Sequence, residues 1–195
     1  MNIEEALKIV NDKNFIFFDL DNTLVKTAKI HEKAYSIARK KSSKKDKIYE
    51  IKKNIYLNLL NSENLVQIEA AVTLFKKSIE LGKKVAVITN TTRENAEFIL
   101  KKIDLEPDLL IAGDDPTSKL KPDPCMYKNA VNHFAAAEED CVVFEDDPHG
   151  AMAAFQAGLR VIDIKTVKIF RNNGLLFNII PTSVDLLKKS EEKEK

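Results

Sequence analysis

The stretch Phe17–Val25, FFDLDNTLV, puts two carboxylates at the end of an apolar run. The run starts at Phe15 and contains no charged residue before Asp19, and Asp21 follows two positions later. A short apolar run that ends in turn-forming residues is typical of a buried strand. If the chain stays extended, Asp19 and Asp21 point the same way. Such neighbouring carboxylates repel one another unless a cation or a proton joins them.

Outside this stretch, the sequence alternates between short apolar runs and segments with helical spacing. Runs rich in Val, Ile, Leu and Phe predict buried parallel strands. Apolar residues from Ile68 to Ile79 keep the spacing of a helix that faces a core. This alternation predicts an α/β fold with a doubly wound parallel sheet. The predicted strands are 15–19, 84–89, 108–112, 141–145 and 160–164.

Capping residues predict where several helices begin and end. Gly82 is placed to end the helix that precedes it. Thr91 and Glu94 have the spacing of a capping box, which predicts a helix that opens there. Asp123 followed by Pro124 predicts an N-cap and the first residue of a further helix.

Length and composition indicate one domain, or one domain with a small insert. The chain has 195 residues, of which 44% are hydrophobic. No apolar run reaches the roughly 18 residues that a membrane span needs, and the first residues lack the layout of a signal peptide. The two cysteines, Cys125 and Cys141, suit a reducing compartment. We therefore expect a cytoplasmic protein without a membrane partner, and we favour a monomer while leaving the oligomeric state open.

Positive charge is concentrated in residues 26–61. These residues include eleven lysines or arginines and three acidic residues, a net charge of +8, whereas the whole chain carries +1. The first glycine of the chain is Gly82, which predicts few tight turns before it. We therefore predict a core of residues 1–25 and 65–195 with an inserted helical cap of residues 26–64.

The basic cap has more than one interpretation. Its charge could attract anionic substrates to a nearby crevice, or it could simply be a solvated helix face. Few aromatic residues near the lysine-rich run, Tyr49 and Tyr56 among them, could stack on bases. We therefore expect no nucleic-acid partner.

Polar side chains follow several of the predicted strands. They are Thr89 and Asn90 after the second strand, Lys121 in the loop after the third, and Glu145, Asp146 and Asp147 after the fourth. Ligands of parallel sheets bind beyond the carboxyl ends of the strands, so these side chains are expected to share a crevice with the first two aspartates. Hard oxygen ligands favour Mg²⁺. A Mg²⁺ beside a lysine suits a phosphoryl group, whose negative charge needs both.

Each of these signals also has an ordinary structural interpretation. Asp-Asn-Thr after a strand could be a turn or a helix cap, and a lysine before a proline could be a surface residue. The acidic residues 145–147 could be a cap or solvated acids. The signals occur in a fixed order, each just after a predicted strand, and this placement favours a site.

In these motifs the chain resembles the haloacid dehalogenase superfamily. Residues 19–23, DLDNT, are similar to its first motif, DxDxT, and Thr89 stands where the second motif has Ser or Thr. Lys121 matches the third motif and residues 145–147 match the fourth. The resemblance extends over residues 15–187 and implies a Rossmann-like core with an inserted helical cap.

Within the superfamily, the chain is most similar to the subgroup of β-phosphoglucomutase and small sugar-phosphate phosphatases. Residues 26–36, KTAKIHEKAYS, resemble the segment DT(A/E)xxHxxAW of this group through Thr27, His31 and Ala34. Residues 141–164 resemble the members of the fructose-1-phosphatase type.

The resemblance implies a reaction through an aspartyl-phosphate. Asp19 would be the nucleophile, and Asp21 would protonate the leaving alcohol and then activate water. Mg²⁺ would be held by Asp19, the backbone carbonyl of Asp21, and Asp146. Glu145 would support a metal-bound water, and Lys121 would neutralise charge on the nucleophile and the phosphoryl group.

Other positions are implied to contact the phosphate or the rest of the substrate. Thr89, Leu20 and the amide of Asn90 would bind phosphate oxygens. His31 would order Asp21 or contact the substrate, and Arg93 would contact the substrate. The alternatives are a packed or exposed histidine at His31 and a solvated helix face at Arg93.

The sequence favours a Mg²⁺-dependent phosphatase of small phosphorylated metabolites, with sugar phosphates as candidates. A phosphomutase of the β-phosphoglucomutase type is the alternative. The predicted cap is short and lacks glycine, which suits poorly a mutase that must keep water from its aspartyl-phosphate. A non-catalytic protein that binds phosphate ligands is a third possibility, which the filled catalytic positions disfavour.

Overall fold

The computed structural model describes residues 1–168, in which strands and helices alternate as the sequence predicts. The strands are β1 (Phe15–Phe18), β2 (Val25–Lys26), β3 (Val66–Gln67), β4 (Lys84–Ile88), β5 (Leu109–Ile111), β6 (Cys141–Glu145) and β7 (Arg160–Asp163). The α-helices are α1 (Ile3–Asp12), α2 (Ala28–Lys41), α3 (Lys45–Ser62), α4 (Glu69–Glu80), α5 (Arg93–Lys102), α6 (Cys125–His133) and α7 (Pro148–Gln156). Within this described part, no helix has both the length and the apolar character that crossing a membrane requires. The predicted core residues 169–195, and with them the end of the resemblance, lie outside the described residues.

Five strands form one parallel sheet in the order β5-β4-β1-β6-β7. At its centre, Phe17 of β1 pairs with Ala86 on one side and with Val143 on the other. The side chains of Ile16 and Phe18 belong to one hydrophobic core and that of Phe17 to the other. The strand is apolar throughout because both faces of the sheet are covered. The predicted α/β fold with a doubly wound parallel sheet is confirmed.

The strand order decides which polar side chains meet. β1 lies between β4 and β6, so the residues that follow these three strands are neighbours at one edge of the sheet. Ladder hydrogen bonds continue one residue past β1 and β4: the Asp19 amide donates to the Phe144 carbonyl, and the Thr89 amide to the Ile111 carbonyl, both at 3.0 Å. β1 and β4 nevertheless end one residue before the predicted strands 15–19 and 84–89, because the chain turns into loops at Asp19 and Thr89.

The predicted capping box at Thr91 and Glu94 is wrong. α5 begins at Arg93, and the residue before it makes no capping hydrogen bond through its side chain. The Arg93 amide instead donates to the Asp114 carboxylate at 2.7 Å. The Thr91 amide donates to the Thr89 hydroxyl at 3.1 Å, which keeps Thr91 in the preceding loop. A partner from a distant loop therefore replaces the local cap.

Two other helix boundaries are close to their predicted positions. α4 ends before Gly82, whose φ of 69° suits a glycine after a helix. α6 begins at Cys125, one residue later than Asp123 and Pro124 predict. The Asp123 carboxylate still accepts the Cys125 amide at 2.9 Å and satisfies the first turn.

α2 and α3 pack against each other on the carboxyl side of the sheet, and their buried side chains include Ala34, Tyr56 and Leu60. The antiparallel pair of β2 and β3 connects both ends of this helical segment to the rest of the chain. The division into a core and a cap of residues 26–64 stays a prediction. We call α2 and α3 the cap helices below.

Candidate active site

A cleft of about 460 Å³ opens where β1, β4 and β6 end, beneath the cap helices. Eight of the predicted site residues line it: Asp19, Asp21, His31, Thr89, Asn90, Lys121, Glu145 and Asp146. Leu20 and Arg93 lie elsewhere. The cap helices add Lys52 and Lys53 to the lining, so the cleft has carboxylates at the sheet and lysines on the opposite side.

Lys121 joins the ends of three strands. Its Nζ donates to Asp19 Oδ1 at 2.8 Å, to Glu145 Oε1 at 2.6 Å and to the Ile88 carbonyl at 2.7 Å. The lysine and both carboxylates are buried, so water screens these charges little. Burial alone would lower the pKa of Lys121, but the charge of Asp19 holds it above its ordinary value. The cation is therefore permanent and fixed beside Asp19.

The side chain of Asn90 positions the backbone of Lys121. Asn90 Oδ1 accepts the Lys121 amide at 2.8 Å, and Asn90 Nδ2 donates to the Lys121 carbonyl at 3.2 Å. Gly113 lies so close to the Asn90 carbonyl that a Cβ there would overlap it. Because the Asn90 side chain holds the loop, the predicted phosphate contact of Asn90 is left to its backbone amide.

The Glu145 carboxylate is buried and accepts several hydrogen bonds. Besides Lys121, the Tyr127 hydroxyl donates to Oε1 at 3.1 Å. The backbone amides of Asp146 and Asp147 donate to Oε2 at 3.0 Å and 3.2 Å. These bonds fix the loop after β6 and hold Asp146 next to Asp19.

Asp19, Glu145 and Asp146 could hold a metal ion, because one oxygen from each lies within 4.8 Å of the other two. Three hard oxygen donors at this spacing fit Mg²⁺. Burial and the charge of Glu145 raise the pKa of Asp19 well above its ordinary value, and burial also raises the pKa of Asp146. A bound cation would relieve this crowding of negative charge. The Asp21 carboxylate is not in this group of three, so the predicted contribution of Asp21 rests on its backbone carbonyl.

The Asp21 carboxylate is held mainly from the side of the cap helices. Its Oδ1 accepts the Thr27 hydroxyl at 2.6 Å and the Tyr56 hydroxyl at 3.3 Å, and His31 Nε2 lies 3.6 Å away. Its Oδ2 lies 3.5 Å from the Thr89 hydroxyl. Burial would raise the pKa of Asp21, but the nearby His31 ring and the hydrogen bond from Thr27 outweigh burial and lower it. This arrangement stabilises the ionised carboxylate.

Asn22 shows that the ordinary interpretation of the first motif, a turn and a helix cap, also holds. Asn22 adopts a φ of 61°, a left-handed conformation that asparagine tolerates, and its amide donates to the Val25 carbonyl at 2.7 Å. Its Oδ1 accepts the amides of Thr27 and Ala28 at 3.1 Å and 3.0 Å, at the start of α2. The turn is therefore part of the site, because it places the Asp21 side chain in the cleft.

Two of the predicted contacts involve residues outside the cleft lining. The Leu20 side chain is buried in the hydrophobic core, so only its backbone could bind phosphate. The Arg93 guanidinium donates to both oxygens of Asp115 at 2.8 Å and to the Leu110 carbonyl at 2.9 Å. Arg93 thus pairs with Asp115 and is not among the residues that line the cleft, and its predicted substrate contact stays a prediction.

Some site residues were not predicted. Tyr56 and Lys52 are four residues apart on α3, so they share one face, but no motif marks that face as the one toward the cleft. Tyr127 reaches Glu145 from α6, and nothing in the local sequence indicates this. Asp147 accepts the His149 amide at 2.8 Å and caps α7, which is its ordinary structural role.

Curated relatives match part of this chain. A phosphorylated carbohydrates phosphatase from Thermotoga maritima is 33% identical over 120 residues, which are 60% of this chain and 53% of that protein. A validoxylamine A 7'-phosphate phosphatase from Streptomyces hygroscopicus is 30% identical over 113 residues, 57% of this chain and 53% of that protein. The chain thus spans about half the length of these relatives.

Solved structures and a family model cover more of the chain. The crystal structure of CbbY from Rhodobacter sphaeroides in complex with phosphate has a TM-score of 0.69 at 22% identity, over 77% of this chain and 85% of that one. At this identity the likeness shows the fold alone. Residues 32–164, more than half of the chain, match the family model described as haloacid dehalogenase-like hydrolase. The resemblance seen in the motifs is therefore confirmed, and the chain belongs to the haloacid dehalogenase-like hydrolase family.

Proposed function

We propose that this protein is a phosphatase that hydrolyses small phosphorylated metabolites through an aspartyl-phosphate on Asp19. The observation that carries the proposal is the buried contact of 2.8 Å between Lys121 and Asp19, with Asp21 in the same cleft. A carboxylate nucleophile, a fixed cation and a second carboxylate for proton transfer are what phosphoryl transfer to an aspartate needs.

The names of relatives support a phosphorylated carbohydrate or a similar small phosphorylated molecule as the substrate. Two matching proteins are named for a phosphorylated carbohydrate and for the 7'-phosphate of validoxylamine A. A cleft of about 460 Å³ has room for a small metabolite. Sugar phosphates are therefore the first substrates to examine.

In the first half of the reaction, an oxygen of Asp19 bonds to phosphorus while the bond from phosphorus to the ester oxygen breaks. The electron pair of the broken bond stays on the leaving oxygen, which takes a proton from the carboxyl group of Asp21 and departs as an alcohol. Lys121, at 2.8 Å from Asp19, offsets negative charge on the nucleophile and the phosphoryl group.

In the second half, a water oxygen bonds to phosphorus while the bond from phosphorus to Asp19 breaks. The electron pair returns to Asp19, and Asp21 takes the proton that the water loses. Oδ1 of Asp21 is occupied by Thr27 and Tyr56, so we assign both proton transfers to Oδ2, on the side of Thr89.

Mg²⁺ is the cofactor that best fits the three neighbouring carboxylates of Asp19, Glu145 and Asp146. Asp19 and Asp146 would hold it directly, together with the predicted backbone carbonyl of Asp21. Glu145 already accepts bonds from Lys121 and from two amides, which suits a supporting position. When bound, Mg²⁺ supplies charge neutralisation at the phosphoryl oxygens.

Phosphate release from a panel of sugar phosphates and other phosphorylated metabolites tests the proposal. We expect release that needs Mg²⁺, stops with EDTA and is abolished in Asp19→Asn. The control Asp12→Asn, at an exposed position on α1, should keep full activity. Formation of an isomer in place of phosphate when a bisphosphate is added would favour the phosphomutase. Binding of Mg²⁺ without any turnover would favour the non-catalytic binding protein.

A further inference from the structure

The side chain of Tyr56 reaches from α3 to the Asp21 carboxylate. Its hydroxyl donates to Asp21 Oδ1 at 3.3 Å across 35 positions of the chain. The other two groups at Oδ1, from Thr27 and His31, belong to the start of α2. Tyr56 therefore connects the second cap helix to the group that we assign as acid and base.

The Tyr56 ring is held from several sides. It is only 1% exposed and packs in the core cluster that also contains Ile30 and Leu60. It stacks on His31 with a centroid distance of 4.1 Å, and Lys52 Nζ lies 4.7 Å from its centroid. Burial and the charge of Asp21 raise the pKa of Tyr56 far above its ordinary value. The hydroxyl thus stays protonated and is a rigidly placed donor.

We propose that Tyr56 is a positioning residue for Asp21. Its hydroxyl, together with Thr27, occupies Oδ1 and so keeps Oδ2 turned toward Thr89 and the leaving oxygen of the substrate. The proposal rests on the phosphatase function proposed above. It adds that a side chain of α3 sets the orientation of the acid–base, so the placement of α3 and the proton transfer are linked through one hydroxyl.

The chemistry of the leaving group makes this role measurable. Asp21 gives its proton to the leaving oxygen, and an alkoxide needs that proton far more than a nitrophenolate does. A misplaced Asp21 should therefore slow the cleavage of an alkyl phosphate more than that of p-nitrophenyl phosphate. A merely structural defect lowers the fraction of active enzyme and slows both esters equally.

The test compares Tyr56→Phe with wild type on p-nitrophenyl phosphate and on glycerol 2-phosphate, at saturating Mg²⁺. Phenylalanine keeps the buried ring and removes only the hydroxyl. We expect kcat/KM for glycerol 2-phosphate to fall about 10-fold or more, and that for p-nitrophenyl phosphate by less than about 3-fold. The loss on the alkyl ester should be in kcat, with little change in KM, because Tyr56 acts through Asp21.

Tyr35→Phe is the matched control. Tyr35 lines the same cleft and its ring centroid is 5.2 Å from Lys52 Nζ, but none of its described hydrogen bonds goes to Asp21. It should alter kcat/KM for the two esters by the same factor, without the larger loss on the alkyl ester that Tyr56→Phe is expected to show. Equal losses on the two esters in Tyr56→Phe, or no loss, would overturn the positioning role, and so would the same difference between esters in Tyr35→Phe.

The two proposals fail in different ways. If wild type releases phosphate and Asp19→Asn does not, the phosphatase function stands whatever Tyr56→Phe does. If wild type releases no phosphate from either ester or from the metabolite panel, both proposals are overturned, because Tyr56 then has no acid–base to position.

Discussion

Lys121 lies between two buried carboxylates and offsets the charge of both. Its Nζ is 2.8 Å from Asp19 and 2.6 Å from Glu145. An unpaired charge in a buried position costs several kcal/mol. Removing the charge of Lys121 would leave the two carboxylates unpaired and would lower the free energy of unfolding by such an amount. The lysine that we propose to neutralise the Asp19 nucleophile is therefore also expected to stabilise the fold.

Replacing Lys121 by Met should lower the free energy of unfolding by about 3–5 kcal/mol at pH 7 and abolish phosphate release. The pKa of Asp19 is already raised, and the charge of Lys121 is one of the groups that limit this rise. Acid that protonates Asp19 removes an unpaired charge, so the difference from wild type should shrink as the pH falls. Urea unfolding at several pH values measures this.

Lys119→Met is the control for Lys121→Met, because Lys119 is exposed in the same loop. It should change the unfolding free energy by less than about 0.5 kcal/mol. If the two variants were equally stable, the carboxylates beside Lys121 would not depend on its charge.

At the scale of the elements, strands were easier to predict than helix ends. β1 is apolar throughout and β6 is apolar up to Glu145, because both faces of the sheet are covered, and this pattern is visible without any partner. The start of α5 depends instead on Asp114, which lies 21 positions beyond Arg93 and replaces the local cap. Local sequence cannot show a competing partner from another loop.

Some residues of the candidate site could be predicted from the sequence and others could not. Its residues at strand ends were predictable because the order of motifs and the rule for parallel sheets place them together. Tyr56 and Lys52 were not, because their place in the cleft depends on how α3 packs against α2. The side chain of Arg93 pairs with Asp115 outside the cleft lining, and the local sequence does not show this partner either.

The close contact between α7 and the end of β6 predicts that a substitution that normally stabilises a helix will here destabilise the protein. Gly150 lies in the first turn of α7, and a Cβ there would overlap the Glu145 carboxylate. An alanine normally stabilises a helix relative to glycine by about 0.5–1 kcal/mol. Gly150→Ala should instead destabilise the protein by about 1–3 kcal/mol, because the buried carboxylate must move away from Lys121.

Thermal and urea unfolding of Gly150→Ala, beside Gln156→Ala at the exposed end of the same helix, measure this effect. The second variant should be neutral or slightly stabilising. A gain in stability at position 150 would mean that the Glu145 carboxylate can shift at no cost.

At the scale of the whole molecule, charge is distributed across the cleft. Residues 26–61 carry a net charge of +8, whereas the whole chain carries +1. Lys52 and Lys53 bring part of this charge to the lining, opposite the carboxylates at the sheet. Burial lowers the pKa of Lys52, while the charge of Asp21 acts against this. A field of this sign should attract an anionic phosphate ester before any contact forms.

The rate of capture should therefore depend on salt. We expect kcat/KM for a sugar phosphate to fall by about 10-fold as the ionic strength rises from about 0.01 M to 0.3 M, with kcat nearly constant, because salt screens exposed charges beyond the Debye length. The double variant Lys40→Glu with Lys41→Glu, on the exposed end of α2, should reduce both the low-salt kcat/KM and its salt dependence. The control pair Lys8→Glu with Lys128→Glu makes the same change of net charge outside the cap helices and should retain most of the dependence. If kcat/KM depended equally on salt in the two double variants, Lys40 and Lys41 would have no role in attracting the substrate and would only be solvated. Lys52 and Lys53 would then be the cap-helix charges that matter to the substrate.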